Sequence, residues 1–273
     1  MIKRALAKAE DFFYRVIIKN LLKTSKLGYG FVVTGAESGS NFEHIYNNKP
    51  QGTFLIGKYV DKALLNLPAV KSTRGRKDDI KKVLWNEIYN NKQLNVQTRV
   101  LDLASGGARY LREFVDEHRT GIIESICIDK DKSCVQLGRD LSKKENLKNI
   151  KFFRGNLFQT KHLKLFAKKI KWTPNVVIAS GLFIYFNNQT VEKMLKEIHD
   201  LLAPNGIIIF TSYEQLNTRK LMRKTMATSS GDEWVLYYRK PEYWRSLLYE
   251  KGFRDIFIIR DQWKMNNICT SRK

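Results

Sequence analysis

A turn rich in small residues follows an apolar run near residue 100. The run RVLDLA leads into the sequence SGGA, and a helical pattern then begins at Arg109. Small residues let the backbone approach a ligand closely, and the start of a helix offers unpaired N–H groups. The GxGxxG spacing of dinucleotide-binding loops is absent, because Arg109 and Tyr110 follow the turn. We therefore predict a ligand-binding loop of another type.

A carboxylate closes the next apolar run, which reads ESICID and ends at Asp129. If both runs are parallel strands, Asp129 lies at the same edge of the sheet as the small-residue turn. A carboxylate at this place can accept hydrogen bonds from both hydroxyls of a ribose, as a nucleoside cofactor requires. The alternative is an ordinary helix N-cap, since Lys130, Asp131 and Ser133 follow.

The elements that carry these residues alternate between strand and helix from residue 98 onward. Short β-branched runs are separated by helical stretches of ten to fifteen residues, which predicts βαβ units and a parallel sheet. The last two runs, FRDIFIIRD and MNNICTSR, are too close together for a crossover helix, so they should form an antiparallel hairpin. The sequence predicts an α/β fold whose mostly parallel, seven-stranded sheet ends in this hairpin.

The N-terminal part has a different pattern, and we predict a helical extension over 1–75 and the α/β domain over 76–273. Residues 2–23 have the pattern of a basic amphipathic helix, with apolar side chains on one face at Ile2, Leu6, Ala9, Phe13, Val16 or Ile17, and Leu21. Such a helix can lie on an anionic membrane surface, which makes residues 1–25 a candidate peripheral contact. More often it packs against its own domain. Glycines predict an irregular segment over 28–52, and helical patterns occupy 55–67 and 77–91.

The composition bounds the partners and the compartment. The formal net charge is +22, which fits a polyanionic partner such as RNA or anionic lipid, or a compositional bias toward lysine. The three cysteines show no metal-ligand spacing and no disulfide framework, so we expect no metal site and a reducing compartment. The reducing compartment indicates a cytoplasmic protein, with peripheral contact to the inner membrane surface as a further option. No apolar run is long enough to cross a bilayer as a helix.

The turn at 102–108 resembles motif I of class I S-adenosylmethionine-dependent methyltransferases, written D-x-[GA]-x-G-x-[GA]. Other stretches resemble the family of putative methyltransferases, which in bacteria also occurs fused to α/β-hydrolase domains. These stretches are NKPQG from Asn48, TRGRK from Thr73, SGL from Ser180, SGDEWV from Ser230 and KGF from Lys251. The resemblance implies a Rossmann-like fold and S-adenosyl-L-methionine as the cofactor, but it supplies no substrate.

The resemblance also implies which residues surround the cofactor. In motif I, Ala104 and Ala108 stand where the family more often has glycine. Asn156 stands where the family often has an acid beside the adenine, and the segment from Ser180 to Tyr185 corresponds to a motif that borders cofactor and substrate. The implied cofactor-binding residues are Asp102, Ala104, Ser105, Gly106, Arg109, Asp129, Lys130, Asn156, Leu157, Ser180, Gly181 and Tyr185.

The methyl acceptor is open at this stage, and no catalytic residue is assigned. Candidates for the substrate side are Gln51, Arg74, Arg76, Trp234 and Arg239. Paired guanidiniums suit a phosphate or carboxylate, although two solvated arginines in a glycine-containing loop are the alternative. We expect methyl transfer to a small-molecule or lipid-linked anionic acceptor. The alternatives are an RNA methyltransferase and a cofactor-binding protein without activity.

Overall fold

The apolar runs from residue 98 onward form one seven-stranded sheet in a computed structural model. The structure describes residues 10, 12–118, 123–156, 172–214, 222 and 224–273. The strand order is β3-β2-β1-β4-β5-β7-β6, with β1 to β5 parallel and β7 antiparallel to both of its neighbours. The strands are β1 Thr98–Leu103, β2 Ile123–Asp129, β3 Ile150–Arg154, β4 Val176–Ala179, β5 Ile207–Tyr213, β6 Arg254–Arg260 and β7 Asn266–Arg272. The predicted fold class is confirmed.

Two apolar cores lie on the two faces of this sheet. Alternate residues of a strand point to opposite faces, so Leu101 and Val177 belong to one core while Val100 and Val176 belong to the other. Every residue of β4 is buried, as expected for a central parallel strand that is covered on both sides. The central strands are thereby held rigidly, and their carboxyl ends present the predicted ligand-binding residues at one edge.

Helices flank the strands and also make up most of the N-terminal part. The short helices near the N-terminus are α1 Lys19–Leu22 and α2 Lys26–Tyr29, with π-helical segments at Phe13–Ile18 and Gly30–Gly35. The longer helices are α3 Gly39–Asn47, α4 Phe54–Leu65, α5 Pro68–Gln93, α6 Arg109–His118, α7 Lys132–Lys144, α8 Asn188–Leu201 and α9 Pro241–Glu250. The helix predicted from residues 161–170 lies outside the described residues.

One prediction for the N-terminal part is wrong. Residues 28–52 are largely helical rather than irregular, because glycines there allow close packing. A Cβ atom on Gly30 would lie 1.8 Å from the side-chain oxygen of Asn41. The glycine-containing loop that was the alternative for Arg74 and Arg76 is not formed, because both residues belong to α5. Its glycine, Gly75, sits in the helix beside the ring of Trp263, where a Cβ would come within 2.9 Å.

The chain divides into two compact units. One comprises Met1–Arg74 with Gln215–Val235, and the other comprises Gly75–Glu214 with Leu236–Lys273. This division differs from the domains predicted from sequence, which placed 215–235 with the sheet. Within the first unit, Ala227 donates its N–H to the carbonyl of Phe31 and accepts from the N–H of Ala36, at 3.0 and 2.9 Å. These backbone hydrogen bonds fix part of the later segment to the π-helical turn.

The apolar face predicted at the N-terminus is not packed inward. Phe13, Val16, Ile17 and Leu21 are exposed, and Leu22 is the buried residue in this stretch. The expectation that this face packs against its own domain is therefore wrong for these residues, and Ile2, Leu6 and Ala9 lie outside the described part of the chain. None of the helices in that part is long and apolar enough to cross a bilayer.

Candidate functional site

The turn after β1 adopts a left-handed backbone at three alternate residues. Ala104, Gly106 and Ala108 have φ values of 54°, 55° and 48°. An alanine in this region costs about 1–2 kcal/mol, which explains why glycine would be common at these positions. A Cβ on Gly106 would meet no atom within 4 Å, so the turn faces open space there. The side chains of Ser105 and Ala108 are buried beneath the turn.

Asp129 ties this turn to the end of β2. Its Oδ2 atom accepts the N–H of Gly106 at 2.8 Å, and its Oδ1 atom accepts the N–H of Asp131 at 2.9 Å. The N-cap of α7 is Asp131, whose side chain accepts the N–H of Ser133. Asp131 rather than Asp129 therefore caps α7, whereas the alternative to ribose binding made Asp129 part of such a cap. Burial, opposed by these backbone donors, raises the pKa of Asp129.

Asp102 lies beneath the turn and is fully buried. Its Oδ1 atom accepts a hydrogen bond of 2.5 Å from the hydroxyl of Tyr110, whereas Oδ2 has no hydrogen-bond partner in the described part of the chain. Desolvation raises the pKa of Asp102 to about 8, against the opposing effect of Tyr110. Tyr110 was not among the predicted site residues. The sequence signal that could have identified Tyr110 was its position as the second residue of the helix that follows the turn.

A buried cation of α5 lies next to the residues that follow β4. Gly181 has φ 69° and donates its N–H to Oγ1 of Thr211 at 2.7 Å. A Cβ on Gly181 would lie 2.9 Å from Nη1 of Arg76, so the guanidinium packs directly against this glycine. Arg76 is only 4% exposed. The structure therefore places two predicted residues, Arg76 and Gly181, in contact, with Ser180 partly buried beside them.

Arg239 supports the turn that follows β4. It donates to the carbonyls of Phe183 and Phe186 at 3.0 and 2.5 Å, and to Oδ1 of Asn188 at 3.0 Å. Its guanidinium also lies over the rings of Tyr243 and Trp244. Burial lowers its pKa. With these contacts made to its own chain, Arg239 is placed to position residues 183–188, which include the partly buried Tyr185.

Three further predicted cofactor residues, Arg109, Lys130 and Asn156, follow the ends of strands at the same edge of the sheet. Arg109 begins α6 and its Nε donates to Glu113 at 2.7 Å. Lys130 is exposed, and its carbonyl accepts from Nε of Arg154 at 3.2 Å. Asn156 is exposed just beyond β3. Leu157 lies outside the described residues.

Three of the predicted substrate residues belong to the first unit. Gln51 accepts a hydrogen bond from Lys26 through its side chain, and its N–H donates to the buried Asp61 at 2.9 Å. Arg74 donates to the carbonyl of Leu65 at 2.8 Å, and burial lowers its pKa. Trp234 packs against the apolar core of this unit. Arg76 and Arg239 belong to the second unit, so the five candidates are divided between the two.

The geometry of the sheet edge fits a nucleoside cofactor. Gly106 faces open space, and Asp129, which accepts the N–H of Gly106, stands beside it. An ionised carboxylate has about four lone-pair sites, so the two backbone bonds of Asp129 leave room for a diol. The described part of the chain holds no cluster of three or more histidine, cysteine, aspartate or glutamate side chains suited to a metal ion.

Comparison with solved structures bears on the fold. A protein from Bordetella parapertussis described as a "possible exported protein" has a TM-score of 0.69 at 16% identity, covering 93% of this chain and 85% of that one. Magnesium protoporphyrin IX methyltransferase from Synechocystis PCC 6803, solved with bound SAH, has a TM-score of 0.55 at 12% identity, covering 86% and 94%. These likenesses show a Rossmann-like methyltransferase fold.

Comparison of sequences shows the family. The Escherichia coli K12 protein "Uncharacterized protein YnbC" is 24% identical over 233 residues, which cover 84% of this chain. The match spans only 39% of that protein's own length. The family model described as "Putative methyltransferase" matches residues 2–273, and the resemblance noted from the motifs is confirmed. The chain therefore belongs to this family of methyltransferases and has the fold of the class I, S-adenosylmethionine-dependent enzymes.

Proposed function

We propose that the protein transfers a methyl group from S-adenosylmethionine to a small-molecule or lipid-linked acceptor that carries an anionic or ionisable group. The observation that carries this proposal is the arrangement around Gly106, where open space lies beside the Asp129 carboxylate at the end of β2. When bound, S-adenosylmethionine supplies an electrophilic methyl group for in-line displacement. Family membership and the fold support this class of reaction.

The residues of the chain would then bind and orient rather than perform covalent chemistry. The remaining lone pairs of Asp129 would accept the ribose hydroxyls, and the buried carboxyl of Asp102 would lie near the cationic part of the cofactor. Arg76, whose guanidinium packs against Gly181, would lie toward the acceptor, because a guanidinium suits a phosphate or carboxylate. Alignment of this kind supplies several kcal/mol of catalysis in enzymes, about 7–11 in well-oriented systems.

Calorimetry with S-adenosylmethionine and its demethylated product tests the cofactor site. The variant Asp129→Ala should bind at least about tenfold more weakly, since it loses a charge-assisted pair of acceptors. Asp131→Ala is the matched control, because it removes a neighbouring carboxylate whose side chain caps α7. It should cost about 1 kcal/mol of stability and leave cofactor affinity within about threefold. Absence of binding to the wild-type protein would contradict the proposal.

The acceptor class is tested by transfer of a labelled methyl group to fractionated cell extract. We expect label in the organic extract or the small-molecule pool. Label in RNA, with a steep salt dependence, would instead favour the RNA methyltransferase. Binding of the cofactor with no transfer to any fraction would favour a cofactor-binding protein without activity.

A further inference from the structure

The first turns of α4 expose a cluster of large apolar side chains. Phe54, Leu55, Ile56 and Tyr59 are 86, 71, 65 and 69% exposed. Scattered exposed apolar residues are common in proteins, but contiguous apolar patches on a surface mark an interaction site. The opposite face of α4 is the one that packs, since it carries the buried residues Gly57, Asp61 and Leu65.

The backbone at Phe54 adds a second, independent observation. Phe54 has φ 52°, a left-handed conformation that is unusual for a bulky residue. The ring of Phe54 is exposed and has almost no packing to compensate for this strain. Backbone strain at such a residue motivates a functional hypothesis.

The helical stretch before α2 exposes a second set of apolar side chains within the same unit. Leu21 lies in α1, whose residues contact α4, and the other three residues of this set lie in the π-helical segment that contacts α1. We call the two sets together the apolar surface. It consists of Phe13, Val16, Ile17 and Leu21 from the first stretch and Phe54, Leu55, Ile56 and Tyr59 from α4.

The charges around the apolar surface are mostly basic, although Glu10 lies three residues before Phe13. The segment Phe12–Tyr29 contains four basic residues and no acidic one. In α4, Lys58 and Lys62 are exposed, whereas the single acidic residue, Asp61, is buried. The Asp61 carboxylate accepts the N–H groups of Leu27 and Gln51, at 2.7 and 2.9 Å, and so contributes to the fold rather than to the surface.

We propose that the apolar surface binds the face of an anionic lipid bilayer. Apolar and aromatic side chains would enter the boundary between headgroups and acyl chains, and the surrounding lysines would contact lipid phosphates. A second copy of this chain fits less well, because each copy carries the same net charge of +22. RNA would attract the lysines but offers no apolar phase for Val16, Ile17, Leu55 and Ile56.

The test is co-sedimentation of the full chain with vesicles of phosphatidylglycerol mixed with phosphatidylcholine, and with vesicles of phosphatidylcholine alone. No cofactor is added, so the result is independent of the proposed methyl transfer. The wild-type chain should bind the anionic vesicles, and added salt should weaken the binding. The double variant Leu55→Ser/Ile56→Ser should bind about tenfold more weakly or worse, since two exposed aliphatic side chains no longer enter the bilayer.

The matched control is Phe257→Ser/Ile259→Ser, which removes two side chains of β6 with similar exposure, 63 and 61%, in the other unit. It should bind vesicles as the wild type does. Equal loss in both double variants, or no loss in the α4 variant, overturns the proposal. The proposal is also overturned if the wild-type chain does not bind anionic vesicles but self-associates, and the α4 variant is monomeric.

The single variant Phe54→Gly separates a membrane role from a structural one. Glycine adopts positive φ without steric cost, so the variant should melt at the same temperature or higher. Loss of the exposed ring should at the same time weaken binding to the anionic vesicles several-fold. A lower melting temperature with unchanged vesicle binding would assign Phe54 to the fold and overturn its part in the surface.

Discussion

The hydroxyl of Tyr110 donates a 2.5 Å hydrogen bond to the fully buried carboxyl of Asp102, directly beneath the turn after β1. The two residues join the last part of β1 to the first turn of α6 and so fix the turn between them. The second oxygen of Asp102 has no hydrogen-bond partner among the described residues. A buried carboxyl in this condition favours its neutral form, because ionisation there would lack solvation.

Replacement of Asp102 by asparagine should change how stability depends on pH. The pKa of Asp102 is about 8 in the fold and near 3.8 when unfolded, so between these values the native state holds a proton that the unfolded state has released. The contribution of Asp102 to the free energy of unfolding therefore falls as pH rises from about 4 to 8. Asp102→Asn should show a shallower decline over this range in urea unfolding at several pH values. Parallel curves for both proteins would contradict the raised pKa.

The open space over Gly106 predicts a variant that affects binding more than folding. In Gly106→Ala the new methyl group meets no protein atom, so the cost to stability is the left-handed backbone alone, about 1–2 kcal/mol. The methyl group would occupy the space next to the Asp129 carboxylate. We expect at least about a tenfold loss of affinity for S-adenosylmethionine by calorimetry.

Gly231→Ala is the control for that experiment. Gly231 also has positive φ, at 88°, and a Cβ there also meets nothing within 4 Å, but it belongs to the first unit. The two variants should lose similar stability, and only Gly106→Ala should lose cofactor affinity. If both bind the cofactor normally, the turn is not the cofactor loop.

Arg239 should be needed for stability, and lysine should not replace it. The guanidinium donates in three directions at once, to two carbonyls and the side chain of Asn188, which a single ammonium group cannot reproduce. We expect Arg239→Lys to lower the free energy of unfolding by about 2 kcal/mol or more. Arg245→Lys, at an exposed arginine of α9 with a single 3.2 Å hydrogen bond to Ile256, should stay within about 0.5 kcal/mol. Equal effects of the two variants would show that Arg239 does not anchor the turn.

The sheet was predictable because its signals are local. Apolar runs such as those of β4 and β5 are buried on both faces, and the short link between β6 and β7 leaves room only for a hairpin. The edge that carries Asp102, Asp129 and Gly181 follows from the topology, since parallel strands end on the same side.

The helical part was less predictable, because glycine has two physical uses. Gly30 and Gly75 interrupt a sequence pattern as turn residues would, yet both lie in helical segments where a neighbouring side chain occupies the place of a Cβ. Trp263, the neighbour of Gly75, is distant from it in the sequence. Asn41, the neighbour of Gly30, lies in the next helix, α3. No local pattern distinguishes this use from a chain break. The contact between Arg76 and Gly181 was missed for the same reason.

That contact leads to a prediction on the acceptor side. Arg76→Gln removes the buried charge beside Gly181, and Gly181→Ala should displace it, because the new Cβ would lie 2.9 Å from Nη1. Both variants should lower methyl transfer to the acceptor fraction by about tenfold or more, and Arg76→Gln should leave cofactor affinity within about threefold. Lys82→Gln, an exposed cation of α5, should leave both quantities unchanged. If Arg76 holds the acceptor, the effects of Arg76→Gln and Gly181→Ala on methyl transfer should not be additive, since both act through one guanidinium. If Arg76→Gln weakens cofactor binding as much as it slows transfer, Arg76 belongs to the cofactor site and the anionic acceptor loses its main support.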